Sequence, residues 1–119
     1  MPTLKASLSE ALESPGVVGA ALVDAVTGLT YGVAGDHRVN GSEIAELTNL
    51  IVDWLYEAGT EGDLESVVMT GGTLHEVVRA VPGRGRSDGL LLFLALNRER
   101  TNLALAMRQA DDLAASVLA

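Results

Sequence analysis

Two apolar runs, one near each end of the chain, dominate the hydrophobic pattern. The first covers residues 17–23 and the second covers residues 90–96, and neither alternates polar with apolar positions. A strand with apolar side chains on both faces must be covered on both faces by other elements. Each run therefore predicts a strand buried between two layers, and we expect the two strands to pair at the centre of one sheet.

Three other segments carry apolar residues at helical spacing, and they predict three helices. In the first, Ser7 and Glu10 have the spacing of a capping box. In the second, Ser42 is the expected N-cap and Gly59 the C-terminal stop. The third has an apolar stripe that begins at Leu103. The predicted helices span residues 3–14, 43–58 and 100–118.

Three shorter segments predict further strands. Residues 29–34 alternate, so that Leu29, Tyr31 and Val33 share one face, which we expect to form the buried side of a half-buried strand. A Gly71-Gly72 pair between two more strand-like segments is a strong signal for a two-residue hairpin turn. The strands on either side of this pair are predicted over residues 64–70 and 73–81.

The order helix, two strands, helix, three strands, helix predicts an α/β sandwich. Strands that follow each other through short turns pair as antiparallel hairpins. Joining the two fully apolar strands at the centre then gives the sheet order 2-1-5-4-3. The predicted fold is a mainly antiparallel five-stranded sheet with helices on both faces, and the 119 residues form a single domain, 1–119.

The second predicted helix carries more apolar surface than one face of a sheet needs. A wide apolar stripe is expected to cover the sheet, and a narrow stripe lies roughly opposite, with an acidic strip between them. A helix on the surface of a monomer needs only one apolar face. The narrow stripe therefore favours packing against a partner helix, with scattered surface hydrophobic residues as the alternative. The sets are Ile44, Leu47, Ile51, Trp54, Leu55 and Ala58 (wide), Ala45, Val52 and Tyr56 (narrow), and Glu46, Asp53 and Glu57 (acidic).

The third predicted strand is an edge strand that contains neither Pro nor Lys. Unprotected edges of this kind pair with strands of other chains. Together with the two-faced helix, the edge predicts a symmetric homodimer in which two sheets join and two helices pack side by side. The expected dimer contacts are Ala45, Val52, Tyr56, Val67 and Met69, and the acidic strip is the expected docking site for a basic partner.

Composition and charge exclude several classes of protein. A net charge of −8 and an aromatic content of 3% argue against binding to nucleic acids. No cysteine is present, and no apolar run approaches the ~20 residues that a membrane-spanning helix needs. The first residues lack the pattern of a signal peptide, so we expect a cytoplasmic protein.

No motif in the sequence assembles a catalytic or metal site. His37 and His75 lie on different elements, with no third ligand at metal spacing. Asp36, His37 and Ser42 lack the nucleophile elbow of a Ser-His-Asp hydrolase. The arginine-bearing loop at residues 83–86 lacks the spacing and the lysine of a phosphate loop, and is interpreted as a solvated connection. We therefore expect no enzymatic activity, no cofactor and no metal.

The chain resembles roadblock/LC7 domains, in the bacterial branch of MglB-type regulators. The resemblance is carried by residues 15–23, which open with Pro-Gly-Val-Val-Gly-Ala, by the turn at 24–28, and by residues 96–106, which close with Asn-Leu-Ala-Leu-Ala. It covers nearly the whole chain and implies a roadblock/profilin-like fold that dimerises through the second helix and third strand. It further implies binding to a small Ras-like GTPase, as a regulator without a nucleotide site of its own.

Two alternatives to a GTPase regulator stay open on the sequence. The first is an architectural subunit that tethers a signalling complex and has no effect on GTP hydrolysis. The second is a small-ligand sensor, which needs a pocket with convergent polar groups. The Ala, Val and Leu-rich core offers no such polar groups, and a GTPase gene next to this one would favour the regulator.

Overall fold

The computed structural model describes residues 3–36, 38–59, 64–81 and 89–116. His37 and the arginine-bearing loop at 83–86 lie outside these ranges. Within them, the predicted order of helices and strands is confirmed. The helices are α1 (Leu4–Ala11), α2 (Gly41–Glu57) and α3 (Leu103–Ser116); the strands are β1 (Val17–Asp24), β2 (Thr30–Gly35), β3 (Ser66–Thr70), β4 (Leu74–Ala80) and β5 (Leu90–Asn97); a 3-10 turn, Arg98–Arg100, follows β5.

The five strands form one sheet in the order β2-β1-β5-β4-β3, as expected from the sequence. All four neighbouring pairs are antiparallel. At the centre, Phe93 of β5 lies opposite Ala21 of β1 on one side and Val78 of β4 on the other. Within the described residues, β2 and β3 are each paired on one side only, which makes them the edges of the sheet.

Strand β5 is buried on both faces, as its unbroken apolar sequence predicts. Its side chains alternate between two hydrophobic clusters, one on each face of the sheet. Full burial of a Leu or Phe side chain contributes about 1.5–3 kcal/mol relative to exposure, so this strand carries a large share of the core. Leu92, Leu94 and Leu96 belong to one cluster, and Leu91, Phe93 and Ala95 belong to the other.

The helices cover the two faces of the sheet unequally. Helix α1 packs over β1 and β2, and α3 packs over β5 and β4 on the same face, while α2 packs on β1 from the opposite face. Helix α3 buries Ala106, Ala110 and Ala114 at four-residue spacing, close to its predicted apolar stripe. An ion pair between Arg79 of β4 and Asp111 of α3 adds a polar link, with Nε and Oδ1 2.7 Å apart.

The N-caps of α1 and α2 are not the residues that the sequence indicated, and α2 begins two residues earlier than predicted. Thr3, and not Ser7, caps α1, because its hydroxyl accepts the backbone N–H three residues on at 3.1 Å. Asn40, and not Ser42, caps α2, because its Oδ1 accepts a backbone N–H at 3.0 Å. The first turn of a helix needs a capping acceptor but no apolar residue, so periodicity alone places the start of α2 too late.

The β3–β4 hairpin is confirmed, although its glycines do not play the expected part. Neither Gly71 nor Gly72 has a positive φ, which primed two-residue turns use. The N–H of Gly71 donates to the carbonyl of Leu74 at 2.8 Å. Arg98 holds the turn from outside, since its Nη1 donates to the carbonyl of Gly71 at 3.0 Å. The turn is therefore fixed in part by a side chain from the end of β5.

The buried face of β2 is the opposite of the predicted one. Tyr31 is 49% exposed and Val33 is 46% exposed, and Leu29, just before the strand, is also exposed. The small residues between them face α1 instead. A Cβ added at Gly32 would meet Leu4 and Leu8 side chains at 3.1 Å, so α1 lies too close for a larger residue. The prediction is wrong because it placed the larger apolar side chains on the buried face. Helix α1 lies so close to β2 that only small residues fit between them.

Candidate protein interaction surface

Helix α2 approaches the sheet through small side chains. Gly41, Ala45 and Thr48 are buried along one side of the helix. A Cβ added at Gly41 would collide with a carbonyl oxygen in the β1–β2 turn, so the start of α2 is tightly seated. Two turns further on, the side-chain amide of Asn49 donates to the carbonyl of Ala25 at 3.0 Å. These contacts fix the rotation of α2 about its own axis.

This rotation exchanges the predicted roles of the two apolar stripes. Ala45 is only 4% exposed, and Val52 is half-buried on the same side, so both face the sheet. Trp54, predicted to face the sheet, is 69% exposed. Ala45 and Val52 are therefore wrong as exposed dimer contacts. Apolar area guided the prediction, whereas close packing of a helix on a sheet favours small residues at the contact.

Three large apolar side chains line the outward side of α2, and we name them the α2 stripe: Leu47, Leu50 and Trp54. Leu50 is 67% exposed and Trp54 is 69% exposed, while Leu47 is half-buried. Spacings of three and four residues place the three side chains on successive turns of one side of the helix. Large exposed apolar side chains grouped in this way are typical of a protein interaction surface.

Leu50 belongs to neither of the stripes predicted from the sequence. The sequence feature that identifies Leu50 is its spacing of three residues from Leu47 and four from Trp54, which places all three on the same side of the helix. Tyr56 is 75% exposed, in agreement with its predicted position on the surface. It lies two residues beyond Trp54, however, and therefore about 200° round the helix axis from the α2 stripe.

The acidic strip of Glu46, Asp53 and Glu57 lies beside the α2 stripe. All three side chains are exposed. At ~100° per residue, each lies within about 60° of Leu50 round the helix axis. Among the described residues none of the three carboxylates has an ion-pair partner. The outward side of α2 therefore combines large apolar side chains with an uncompensated negative edge.

Edge strand β3 lies on the opposite side of the sheet from β2. Val67 and Met69 are half-buried and point to the face that α2 covers, since Val67 belongs to the cluster on that face. Val68 points the other way and is 39% exposed. No Pro or Lys interrupts Ser66–Thr70, so the outer backbone groups of this strand are open to pairing with another strand.

Of the two histidines, the structure describes His75, which lies on β4. His75 is 9% exposed and is therefore buried in the sheet. Its Nδ1 lies 2.7 Å from the hydroxyl of Thr70, a hydrogen bond that links β3 and β4. In the described part of the chain, no group of three His, Cys, Asp or Glu side chains is placed to hold a metal ion. Over the same residues, no helix is both long and apolar enough to span a membrane.

The antiparallel sheet of order β2-β1-β5-β4-β3, with two helices on one face and one on the other, is a roadblock/LC7 fold. The resemblance seen in the sequence is confirmed at the level of the fold. This confirmation comes from solved structures, since no protein-family model and no curated protein sequence matches the chain.

Three solved structures share this fold over nearly the whole chain. A roadblock/LC7 domain from Streptomyces avermitilis is 21% identical with a TM-score of 0.79, covering 98% of this chain and 95% of that one. MglB from Myxococcus xanthus is 16% identical with a TM-score of 0.71, covering 97% and 94%. The gliding protein MglB from Thermus thermophilus is 18% identical with a TM-score of 0.68, covering 93% and 84%.

Proposed function

We propose that this chain is a non-enzymatic, homodimeric regulator of a small Ras-like GTPase. The observation that carries the proposal is the α2 stripe, whose large side chains are exposed although the helix already has a sheet-facing side. A helix on the surface of a monomer has no need of a second apolar side. The fold shared with MglB proteins and the resemblance to roadblock/LC7 regulators support the same proposal.

The dimer contacts we propose differ in part from those expected from the sequence. Leu47, Leu50 and Trp54 replace Ala45 and Val52, which face the sheet of their own chain. On β3, Val67 and Met69 keep their proposed place beside the open edge. In a two-fold dimer each contact occurs twice, so two α2 stripes would cover each other while two β3 edges pair.

The acidic strip is the proposed contact for the GTPase. Its three carboxylates are exposed and lack ion-pair partners among the described residues, so they attract a basic patch on a partner. In this proposal the chain neither binds nor hydrolyses GTP by itself, because its sequence contains no phosphate loop. Regulation would then act through the GTPase's own catalytic groups.

The test is a titration of a small Ras-like GTPase, encoded next to this chain, in its GDP form and with a non-hydrolysable GTP analogue. We expect binding that is stronger to the GTP form. Glu46→Lys combined with Asp53→Lys should slow association, because the attraction between the acidic strip and a basic patch on the GTPase is lost. Asp36→Lys combined with Glu65→Lys is the matched control, since both side chains are exposed and neither lies on α2.

The results of this titration separate the regulator from the tethering subunit. Equal binding to both nucleotide forms without faster hydrolysis favours the tethering subunit. No binding to either form contradicts the regulator. Nucleotide binding by the chain alone contradicts the proposal that it has no nucleotide site.

A further inference from the structure

An open groove separates α1 from α3 on the face of the sheet opposite α2. It arises because α1 lies over β1 and β2 whereas α3 lies over β5 and β4. The cavity in this groove has a volume of about 590 Å³. A volume of this size is in the range of binding pockets, which run from about 300 to 1,000 Å³. The groove is formed entirely by described residues of one chain.

The floor of the groove is apolar and its rim is acidic. Val17 of β1, Leu94 of β5 and Leu113 of α3 supply part of the floor. Glu10 approaches from the last turn of α1 and Glu13 from just beyond its C-terminal end, and Asp112 approaches from α3. No Lys or Arg lines the groove among the described residues. An apolar cleft with carboxylates of one sign on both walls attracts a positively charged partner.

The rim carboxylates are not neutralised within the chain. Glu10, Glu13 and Asp112 have no ion-pair partner among the described residues. Asp111, the neighbour of Asp112, does have one, since it pairs with Arg79 from the sheet. The two adjacent carboxylates on α3 thus differ. Asp111 links the helix to the sheet, whereas Asp112 is available at the groove.

An exposed leucine lies on α3 beyond the cavity. Leu105 is 50% exposed. It precedes the groove-lining Gln109 by four residues, Asp112 by seven and Ser116 by eleven. These spacings place all four side chains on one side of α3. The exposed Leu105 therefore offers a longer segment one further apolar contact on the groove side of α3.

We infer that the groove is a docking site for a short, basic, amphipathic segment of a partner protein. The segment would place leucine-like side chains in the groove and its lysine or arginine side chains against Glu10, Glu13 and Asp112. A segment with apolar as well as basic side chains fits better than a small polar ligand, because Val17, Leu94 and Leu96 leave the floor apolar. This inference goes beyond the proposed function, since it concerns the face of the sheet opposite α2 and needs neither a GTPase nor a dimer.

The test uses a labelled synthetic peptide of about 14 residues, roughly four helical turns, built of leucine and lysine so that leucines line one side. Two control peptides keep the pattern, one with glutamate in place of lysine and one with alanine in place of leucine. Fluorescence anisotropy measures binding to the full chain at about 0.15 M salt, where charges more than ~8 Å apart are largely screened. We expect the leucine–lysine peptide to bind and both controls to bind at least about tenfold more weakly.

Two variants of the chain locate the binding. Glu13→Lys combined with Asp112→Lys reverses the rim on both walls and should weaken binding about tenfold or more. Gln109→Trp fills the groove from α3 and should also remove binding. The matched control, Asp36→Lys combined with Glu65→Lys, makes the same change in net charge at exposed sites outside the groove. Thermal unfolding of each variant checks that it folds. If Gln109→Trp does not fold, the comparison of the two charge variants tests the inference.

Three results would overturn the inference. Equal weakening by the rim variant and the control variant would show general attraction to an acidic chain. Equal binding of the glutamate peptide would show apolar contact without selection for positive charge. Failure of the leucine–lysine peptide to bind would show that the groove does not take such a segment. Loss of binding only in the rim and groove variants supports the docking site.

Discussion

Asp24 makes more polar contacts than its neighbours in the β1–β2 turn. Its Oδ1 accepts the backbone N–H of Val26 at 2.8 Å and of Thr27 at 2.9 Å, and its Oδ2 accepts the hydroxyl of Tyr31 at 3.0 Å. These bonds favour the ionised form, those from the Thr27 and Val26 backbone most of all. They hold the pKa of Asp24 below its ordinary value.

The lowered pKa makes the stability of the fold depend on pH in a defined direction. Asp24 stabilises the folded state above its unfolded pKa, about 3.9, and this contribution is lost as pH falls through the lower folded pKa. Asp24→Asn should therefore unfold more easily than the wild type near neutral pH, with a difference that shrinks below about pH 4. Urea unfolding at a series of pH values measures this difference in the free energy of unfolding. Asp36→Asn is the control, and a pH-independent difference for Asp24→Asn would contradict the prediction.

At the level of single residues, burial was predictable from apolar character only where the structure leaves room for a large side chain. Leu92 and Phe93 are buried as their sequence predicts. Ala45 and Trp54 are not placed as predicted, because the gap between α2 and the sheet is too narrow for large side chains. That distance is set by contacts such as Gly41 against the β1–β2 turn, which join residues far apart in sequence.

Among the elements, α2 offers the sharpest test of the proposed dimer. Leu50→Asp and Trp54→Asp should each weaken dimerisation strongly, because an unpaired carboxylate would be buried in the contact. Both side chains are more than half exposed in the single chain, so the fold should be kept. Val52→Asp should instead lower the free energy of unfolding by about 2 kcal/mol or more, since Val52 faces the sheet.

Light scattering gives the mass of each variant, and denaturant unfolding gives its stability. Leu105→Asp is the control for dimerisation, because it introduces the same charge on α3, on the opposite face of the sheet. A Trp54→Asp variant that fails to fold would show that α2 is rotated differently. A Trp54→Asp variant that dimerises normally would remove the α2 stripe from the proposed interface.

The elements themselves were largely predictable, because they depend on local pattern. The two apolar runs became β1 and β5, and the bounds of β1 are those predicted to within a residue. Strand order followed because short turns allow few alternatives. The buried face of β2 was not predictable, since alternation defines two faces but does not say which one α1 will cover.

For the whole molecule, the proposed dimer makes a direct prediction about mass. A stable interface should bury more than about 1,000 Å² in total. Light scattering at micromolar concentration should then give the mass of two 12.4 kDa chains. The mass of a single chain throughout this range would contradict the dimer, and a larger mass would show that further copies associate.

The α2 side and the α1–α3 groove lie on opposite faces of the same sheet. The sheet separates them, and it is packed on both faces. Occupancy of one face therefore leaves the other sterically accessible. In the functions proposed here, a dimer bound to a GTPase through α2 could hold a basic segment of another protein at each groove.

The pairing of β1 with β5 also determines how the chain has to fold. Val23 lies opposite Leu91, so residues 68 positions apart in sequence meet at the centre of the sheet. The hairpins β1–β2 and β3–β4 close over short loops, but the two are joined only through β5. Closing a long loop costs more chain entropy than closing a short one, and contacts of this separation slow folding. Strands β1 and β5 are thus the easiest to recognise in the sequence, yet they pair with each other across a long sequence separation.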